Sequence, residues 1–175
     1  MAMLDMGCGS GRLAYALGRS GLEVRYTGVD IVQALLDYAA TKSPAHFRFL
    51  LHRALSIPAE ASSLDLVSAF SLFTHLLHHE TYIYLEDMHR VLKPDGLLVF
   101  SFLEFAAEKH WPIFMGTADQ VRTTNTTQLN SFIERSAIEV WARRLGFVVE
   151  GYIEPIQAVS PVGPLGQTTA MLRWR

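Results

Sequence analysis

The chain has 175 residues, half of them hydrophobic and 18% charged, with a formal net charge of −2. That length suits one domain, residues 1–175, with a sizeable core, and the charge balance provides no long basic run to meet a nucleic acid. One cysteine, Cys8, excludes an internal disulfide and a cysteine-built zinc cluster. The apolar runs are too short to cross a bilayer and no signal-peptide pattern opens the chain, so a cytoplasmic protein without a membrane partner is expected.

Taken in order, Ala2 to Met6 reads as a very short first strand. Leu13, Ala16 and Leu17 follow at helical spacing, and Gly21 ends that helix. Val24 to Asp30 is a second strand, and Val32, Leu35, Leu36 and Ala39 mark an amphipathic helix broken near Pro44. Phe47 to Leu51 and Leu64 to Phe70 are the third and fourth strands, joined by a polar loop containing Pro58. Tyr82, Leu85, Met88 and Leu92 form the buried stripe of a third helix, Lys93-Pro94-Asp95-Gly96 is a turn, and Leu97 to Phe102 is a fifth strand. Strands alternating with helices at this interval imply parallel βαβ units with helices on both faces of a sheet.

The last third is less regular. Glu104 to Asn130 has no clear period and reads as a loop with a helical turn or two, carrying His110, Trp111, Pro112, Phe114 and a Thr/Asn cluster. Ser136 with Glu139 suggests a capping box for a helix with Ile138, Trp141, Ala142 and Leu145 on its core face, ended by Gly146. Phe147 to Ile153 and Thr168 to Trp174 are two closing strands joined through Pro161, Gly163, Pro164 and Gly166. Such a pair is free to run antiparallel.

The most informative stretch is Leu4-Asp5-Met6-Gly7-Cys8-Gly9-Ser10-Gly11-Arg12. A strand runs into alternating glycines and then into a helix, which clears side chains from the turn and lets main chain approach a ligand. A dinucleotide loop needs its third glycine at position 12, where Arg12 stands, so a nicotinamide-linked oxidoreductase is disfavoured. Asp30 ends the second strand, where its carboxylate suits two adjacent ribose hydroxyls.

These features resemble the first motif of the class I S-adenosylmethionine (SAM)-dependent methyltransferases. Asp65-Leu66-Val67, Phe73-Thr74-His75-Leu76 and the run from Met88 to Leu97 are similar to later blocks of the small-molecule members, in the same order. The family usually has glycine where Asp95 stands, and Asp also suits such a turn. The resemblance implies an α/β fold: a doubly wound, mostly parallel seven-stranded sheet in the order 3-2-1-4-5-7-6, its last strand antiparallel. It also implies helices ahead of the first strand. Because that strand begins at Ala2, these N-terminal helices are expected to be missing, the chain truncated, and one sheet face open to a second copy in a homodimer.

Carried over by position, the resemblance assigns the cofactor SAM, with product S-adenosylhomocysteine (SAH), to Asp5, Gly7, Cys8, Gly9, Gly11, Asp30, Ile31, Arg53, Ala54, Leu55, Phe70 and Ser71. Asp5 would order the loop and the methionine amino group, and Asp30 would hold the ribose. Cys8 is read as a small turn residue in preference to a reactive thiol. An acid usually meets the adenine after the third strand; His52-Arg53-Ala54 stands there instead, leaving backbone groups and apolar contacts. Methyl transfer to an alcohol or phenol is helped by a base near neutrality, which points to His75, facing the reacting centre with Thr74, and secondarily to His110. A hydrogen-bonded structural histidine is the other reading of His75. His78 and His79 are expected to open the next helix in solvent, and Trp111 and Phe114 to anchor their loop. No metal is expected.

No Asn/Asp-Pro-Pro-aromatic run follows the fourth strand, where Ser68-Ala69-Phe70-Ser71 stands, and no glutamate pair marks an arginine-methylating loop. A small-molecule acceptor remains, methylated at O or N ahead of C. The alternative is a SAM- or SAH-binding protein or partner subunit with little turnover.

Overall fold

Six strands that run in one direction and one that runs against them form the sheet that carries the site. The computed structural model describes residues 1–125, 128–160 and 163–175. The strands are β1 (Ala2–Met6), β2 (Arg25–Asp30), β3 (Arg48–Leu51), β4 (Leu64–Ala69), β5 (Leu92–Phe102), β6 (Phe147–Ile153) and β9 (Thr168–Trp174). Between the last two lies a small hairpin of β7 (Ala158–Ser160) and β8 (Gly163–Pro164). The sheet order is β3-β2-β1-β4-β5-β9-β6, with β9 antiparallel to both neighbours. Discounting the hairpin, this is the expected 3-2-1-4-5-7-6. Pro161, expected in the final connection, lies outside the described residues, as do Thr126 and Thr127 of the Thr/Asn cluster.

β1 is central and buried along its whole length, flanked by β2 and β4. The chain leaves it toward β2 and returns on the other side as β4, so a crevice opens at the carboxyl ends where the strand order reverses. On one face, Leu4, Met6, Val67, Phe100, Phe102 and Leu172 pack under α3 (His78–Val91) and α5 (Arg135–Leu145) through Leu85, Met88, Ile138 and Ala142. On the other, Met3, Tyr26 and Phe47 pack with Ala14 of α1 (Arg12–Arg19), beside α2 (Gln33–Lys42). By register, Leu66, Leu97, Val99 and Met171 share that second face and are only half-buried, and Val148 is 42% exposed. The α1 side of β4, β5, β9 and β6 is therefore partly open.

Several expectations need correction. In α1 the buried residue is Ala14, with Ala16 exposed. In α2 only Leu36 and Ala39 are buried, while Val32 and Leu35 face solvent. The α3 stripe is Thr81, Tyr84, Leu85, Met88 and Val91; Leu92 already belongs to β5. The turn at 93–96 is an excursion within β5, because Leu64 pairs with Leu92 and Leu66 with Leu97.

The expected loop after Glu104 instead contains a fourteen-residue helix, α4 (Trp111–Thr124), with Pro112 in its first turn. None of its residues is fully buried; Trp111, Phe114, Met115 and Ala118 lie at helical spacing, but this short stripe is interrupted by Pro112 and Gly116 and followed by polar residues. The Ser136–Glu139 capping box does not form. Glu134 holds the N-cap position and puts Ser136 inside the first turn, and the Glu134 carboxylate accepts the Phe105 N–H at 2.8 Å. Gly146 ends α5 in the left-handed region, as expected. Among the described residues no helix is long and apolar enough to cross a membrane.

Candidate active site

The glycine turn is tied to β2 at two points. Gly7 and Cys8 both donate their N–H to the Val29 carbonyl, at 2.8 and 3.0 Å. Gly9 donates its N–H to Asp30 Oδ2 at 2.9 Å, while the Val32 N–H reaches Asp30 Oδ1 at 3.0 Å. Asp30 thus shapes the turn, a role its position alone did not reveal. Each of its oxygens accepts one backbone N–H and keeps a lone pair for a ligand hydroxyl. Gly9 (φ +53) has open space where a side chain would start, whereas a Cβ on Gly11 (φ +79) would stand 2.7 Å from Ala39 Cβ. The first exposes main chain to a ligand; the second lets α1 close on α2.

Asp5 sits beneath the turn, 4% exposed. Tyr26 Oη donates to its Oδ2 at 2.8 Å and Ser68 Oγ to its Oδ1 at 2.7 Å. Burial pushes its carboxyl up to about 6, opposed by these two hydrogen bonds and reinforced by the charge of Asp30. Its direct ties therefore join β1 to β2 and β4, while the glycine turn is bonded to Val29 and Asp30. The Cys8 thiol is buried against Gly28, and burial, with the charges of Asp5 and Asp30, pushes it up to about 12. A thiol so placed stays protonated, in keeping with a small turn residue.

Beyond β3 the connecting loop is fastened to α3. Tyr84 Oη donates to the Ala54 carbonyl at 3.3 Å, Asp87 accepts the Ile57 N–H, and Arg90 donates to the Ile57 and Ala59 carbonyls. Arg53 Nε donates to the Ile31 carbonyl at 3.2 Å, which brings the two loops together. Ile31 and Leu55 are 57% and 42% exposed. The His52 ring is engaged with Ser56 Oγ at 2.8 Å.

After β4 the chain passes Phe70, half-buried, and Ser71, a non-glycine residue at φ +57. Ser71 N–H donates to Ser101 Oγ at 2.8 Å, and the Ser71 and Ser101 hydroxyls both donate to Gln167 Oε1, at 3.3 and 2.7 Å. His75 closes a 3-10 turn (Phe73–His75), is exposed, and places Nδ1 3.2 Å from the Leu129 carbonyl. Thr74 does not accompany it: its side chain is buried and donates to the Ser71 carbonyl at 3.0 Å. His110 is also not at an open site. It is 0% exposed, with Nδ1 against the Glu104 backbone and, among the described residues, no hydrogen-bond partner for Nε2. Phe114 anchors its segment edge-on against the stacked rings of Phe105 and Phe132, and Trp111, half exposed, joins this cluster through Phe114. His78 opens α3 with Nε2 2.8 Å from the Phe132 carbonyl.

A family model described as a methyltransferase domain matches residues 4–100, more than half of the chain. The chain belongs to the SAM-dependent methyltransferases of Rossmann-like fold. It is 27% identical over 153 residues to a ubiquinone biosynthesis O-methyltransferase from Alkalilimnicola ehrlichii, an alignment covering 84% of this chain and 60% of that protein. The chain therefore spans about three-fifths of that relative's length. A SAM-dependent methyltransferase structure from Methanosarcina mazei superposes with a TM-score of 0.76 at 18% identity, covering 99% of this chain and 92% of the other. Magnesium protoporphyrin IX methyltransferase from Synechocystis, solved with bound SAH, does so with a TM-score of 0.74 at 14% identity, covering 99% and 73%.

For a methyltransferase, the residues that sequence reasoning missed are those that hold the expected ones. Tyr26 and Ser68 fix Asp5, Gly9 and Val32 fix Asp30, and Ser101 and Gln167 fix Ser71. The available signal for Ser68 and Ser101 was a hydroxyl inside a strand otherwise apolar enough to be buried. A cleft of about 530 Å³ lies further along, lined by Ala106, Lys109, Pro112 and Glu154–Ile156, away from the glycine turn.

Proposed function

We propose that this chain binds SAM on the shelf formed by the glycine turn and Asp30, and moves its methyl group to an oxygen or nitrogen of a small-molecule acceptor. The observation that carries the reading is the 2.9 Å bond from Gly9 N–H to Asp30, which joins a bare left-handed turn to a carboxylate with lone pairs to spare. The residues fit the cofactor. Asp30 accepts the ribose hydroxyls, Ile31 and Leu55 offer apolar surface to the adenine, and Arg53 and Ala54 border it. The main chain of Gly7 to Gly11, with Cys8, follows the methionine portion, Asp5 supports its ammonium end from below, and Phe70 and Ser71 flank it.

The bound cofactor supplies a methyl group already activated by a sulfonium. The chain's residues then have to orient the acceptor, keep water away and remove a proton. His75 is the base in this reading. Its Nδ1 lies 3.2 Å from the Leu129 carbonyl and 3.4 Å from Gln128 Nε2, and in the tautomer that donates to Leu129 the basic nitrogen is Nε2. The ubiquinone-pathway relative, an O-methyltransferase by name, supports an oxygen acceptor. The second reading, a SAM or SAH binder with little turnover, is favoured by His52-Arg53-Ala54, where an adenine-binding acid would stand. The half-open face around Leu97, Val99 and Met171 suits a second copy of the chain in a twofold dimer.

Calorimetry with SAM and SAH tests the shelf, and SAH release over a panel of phenols, acids and sugars separates enzyme from binder. Asp30→Ala removes the ribose acceptor and both loop anchors, with an expected loss of about 1.5–3 kcal/mol per charged bond. Unchanged affinity in that variant overturns the assignment. Sedimentation at tens of micromolar reads the dimer, and a clean monomer counts against it.

A further inference from the structure

Ser71, Ser101 and Gln167 form a hydrogen-bonded group at the carboxyl edge to which the reading above gives no task beyond bordering the cofactor. A backbone N–H only donates, so Ser101 Oγ accepts from Ser71 and passes its own proton to Gln167 Oε1, 2.7 Å away. The Ser71 hydroxyl reaches the same oxygen at 3.3 Å. Two hydroxyl donors on one atom fix the carboxamide with its carbonyl oxygen inward and its –NH2 turned away from the pair. The backbone below is fixed as well. Thr168 Oγ1 donates to the buried Glu104 carboxylate at 2.6 Å, and Arg135 grips the same carboxylate through Nε at 3.0 Å and a terminal nitrogen at 2.8 Å. Phe102 pairs with Thr168 and Ser101 with Thr169 across the strands. Ser71 itself is held at φ +57, a conformation that side-chain-bearing residues rarely adopt and that tends to mark ligand clamps.

We propose that Gln167 is an acceptor-orienting residue, its two amide N–H groups receiving a carbonyl or carboxylate oxygen of the methyl acceptor. The proposal rests on the methyl-transfer reading. An amide is suited to the task because it donates two hydrogen bonds without titrating, so it orients the acceptor without competing with His75 for a proton. It is also half-buried and preorganised, so a matching oxygen costs it little reordering. A site built this way discriminates by leaving its donors unpaired when the oxygen is absent.

The test uses the full chain saturated with SAH, and compares 4-hydroxybenzoate, 4-hydroxybenzaldehyde and phenol by calorimetry. The parent is expected to bind the first two at least about tenfold more tightly than phenol. Gln167→Leu should bring the three within about twofold at saturating SAH, with phenol affinity unchanged. Gln167→Glu keeps the shape, removes the donors and adds a charge, so it should bind 4-hydroxybenzoate more weakly than the Leu variant does. Thermal melting with SAH checks that both variants fold, and either variant alone carries the comparison. The proposal is overturned if the parent does not prefer the carbonyl probes, if neither binds, or if the preference survives in Gln167→Leu. Loss of SAH binding by the parent removes the methyl-transfer reading as well; intact SAH binding without the preference removes this proposal alone.

Discussion

The two halves of the carboxyl edge are held together by different means. On the half proposed to bind the cofactor the anchors are mainly backbone groups: Gly7 and Cys8 on the Val29 carbonyl, Gly9 and Val32 on Asp30. On the half proposed to meet the acceptor they are mainly side chains brought from distant segments: Ser101 and Gln167 around Ser71, and Arg135 and Thr168 around Glu104. A backbone-built site tolerates change in most side chains but not in the conformation of its turn. A side-chain-built site can be rewritten without disturbing the sheet, which is how one fold serves many acceptors.

The sharpest test of that division is His75→Ala. If the acceptor half works independently, turnover should fall about 10²–10⁴-fold while SAM affinity stays nearly constant. Kinetics paired with calorimetry reads both, and parallel losses would merge the halves. Next in size is Gly11→Ala, which adds a Cβ 2.7 Å from Ala39 Cβ and 3.1 Å from its Cα, in a left-handed residue. Conformational strain and overpacking together should cost about 2–4 kcal/mol in urea unfolding. Gly9→Ala, with open space around it, should cost only the strain, about 1–2 kcal/mol. Equal costs would show that the α1–α2 contact does not depend on the missing side chain.

The third test is pH. Asp5 titrates at about 6 in the fold against an ordinary 3.8, chiefly through burial. A raised carboxyl favours the protonated native state. This contribution is complete below about pH 4 and is lost as pH rises through about 6, on the order of 3 kcal/mol in all. Asp5→Asn should flatten that slope, so its stability relative to the parent improves between about pH 4 and pH 7.5. An unchanged slope in the variant would assign the pH dependence to other groups.

The glycine-turn half was largely legible as structure because strand, turn, helix and Asp30 are close neighbours along the chain. β1 and β4 could be bounded nearly to the residue, since strands buried on both faces read as short apolar runs. What could not be read was that Asp30 would first be used by the protein itself. The acceptor half was hidden for a related reason: Ser101 and Gln167 lie 66 residues apart and nothing in either neighbourhood announces the other. α4 was missed because its stripe of Trp111, Phe114, Met115 and Ala118 is short, only half-buried and interrupted by Pro112 and Gly116. The failed capping box shows a local pattern overruled by tertiary demand, since Glu134 is drawn to the Phe105 N–H.

Cys8 is the chain's one cysteine, packed between the glycine turn and Gly28. A reagent such as a disulfide or maleimide can meet its sulfur only when that turn swings open, so the protein carries its own clock for the motion. Modification should be slow in the native state, at a rate set by the fraction of molecules with the segment open when closing outpaces attack. SAM and SAH should slow it further, by a factor approaching one plus ligand concentration over Kd, if the ligand holds the turn shut. A mass spectrum taken over time would then report cofactor affinity without turnover, a label or a known acceptor.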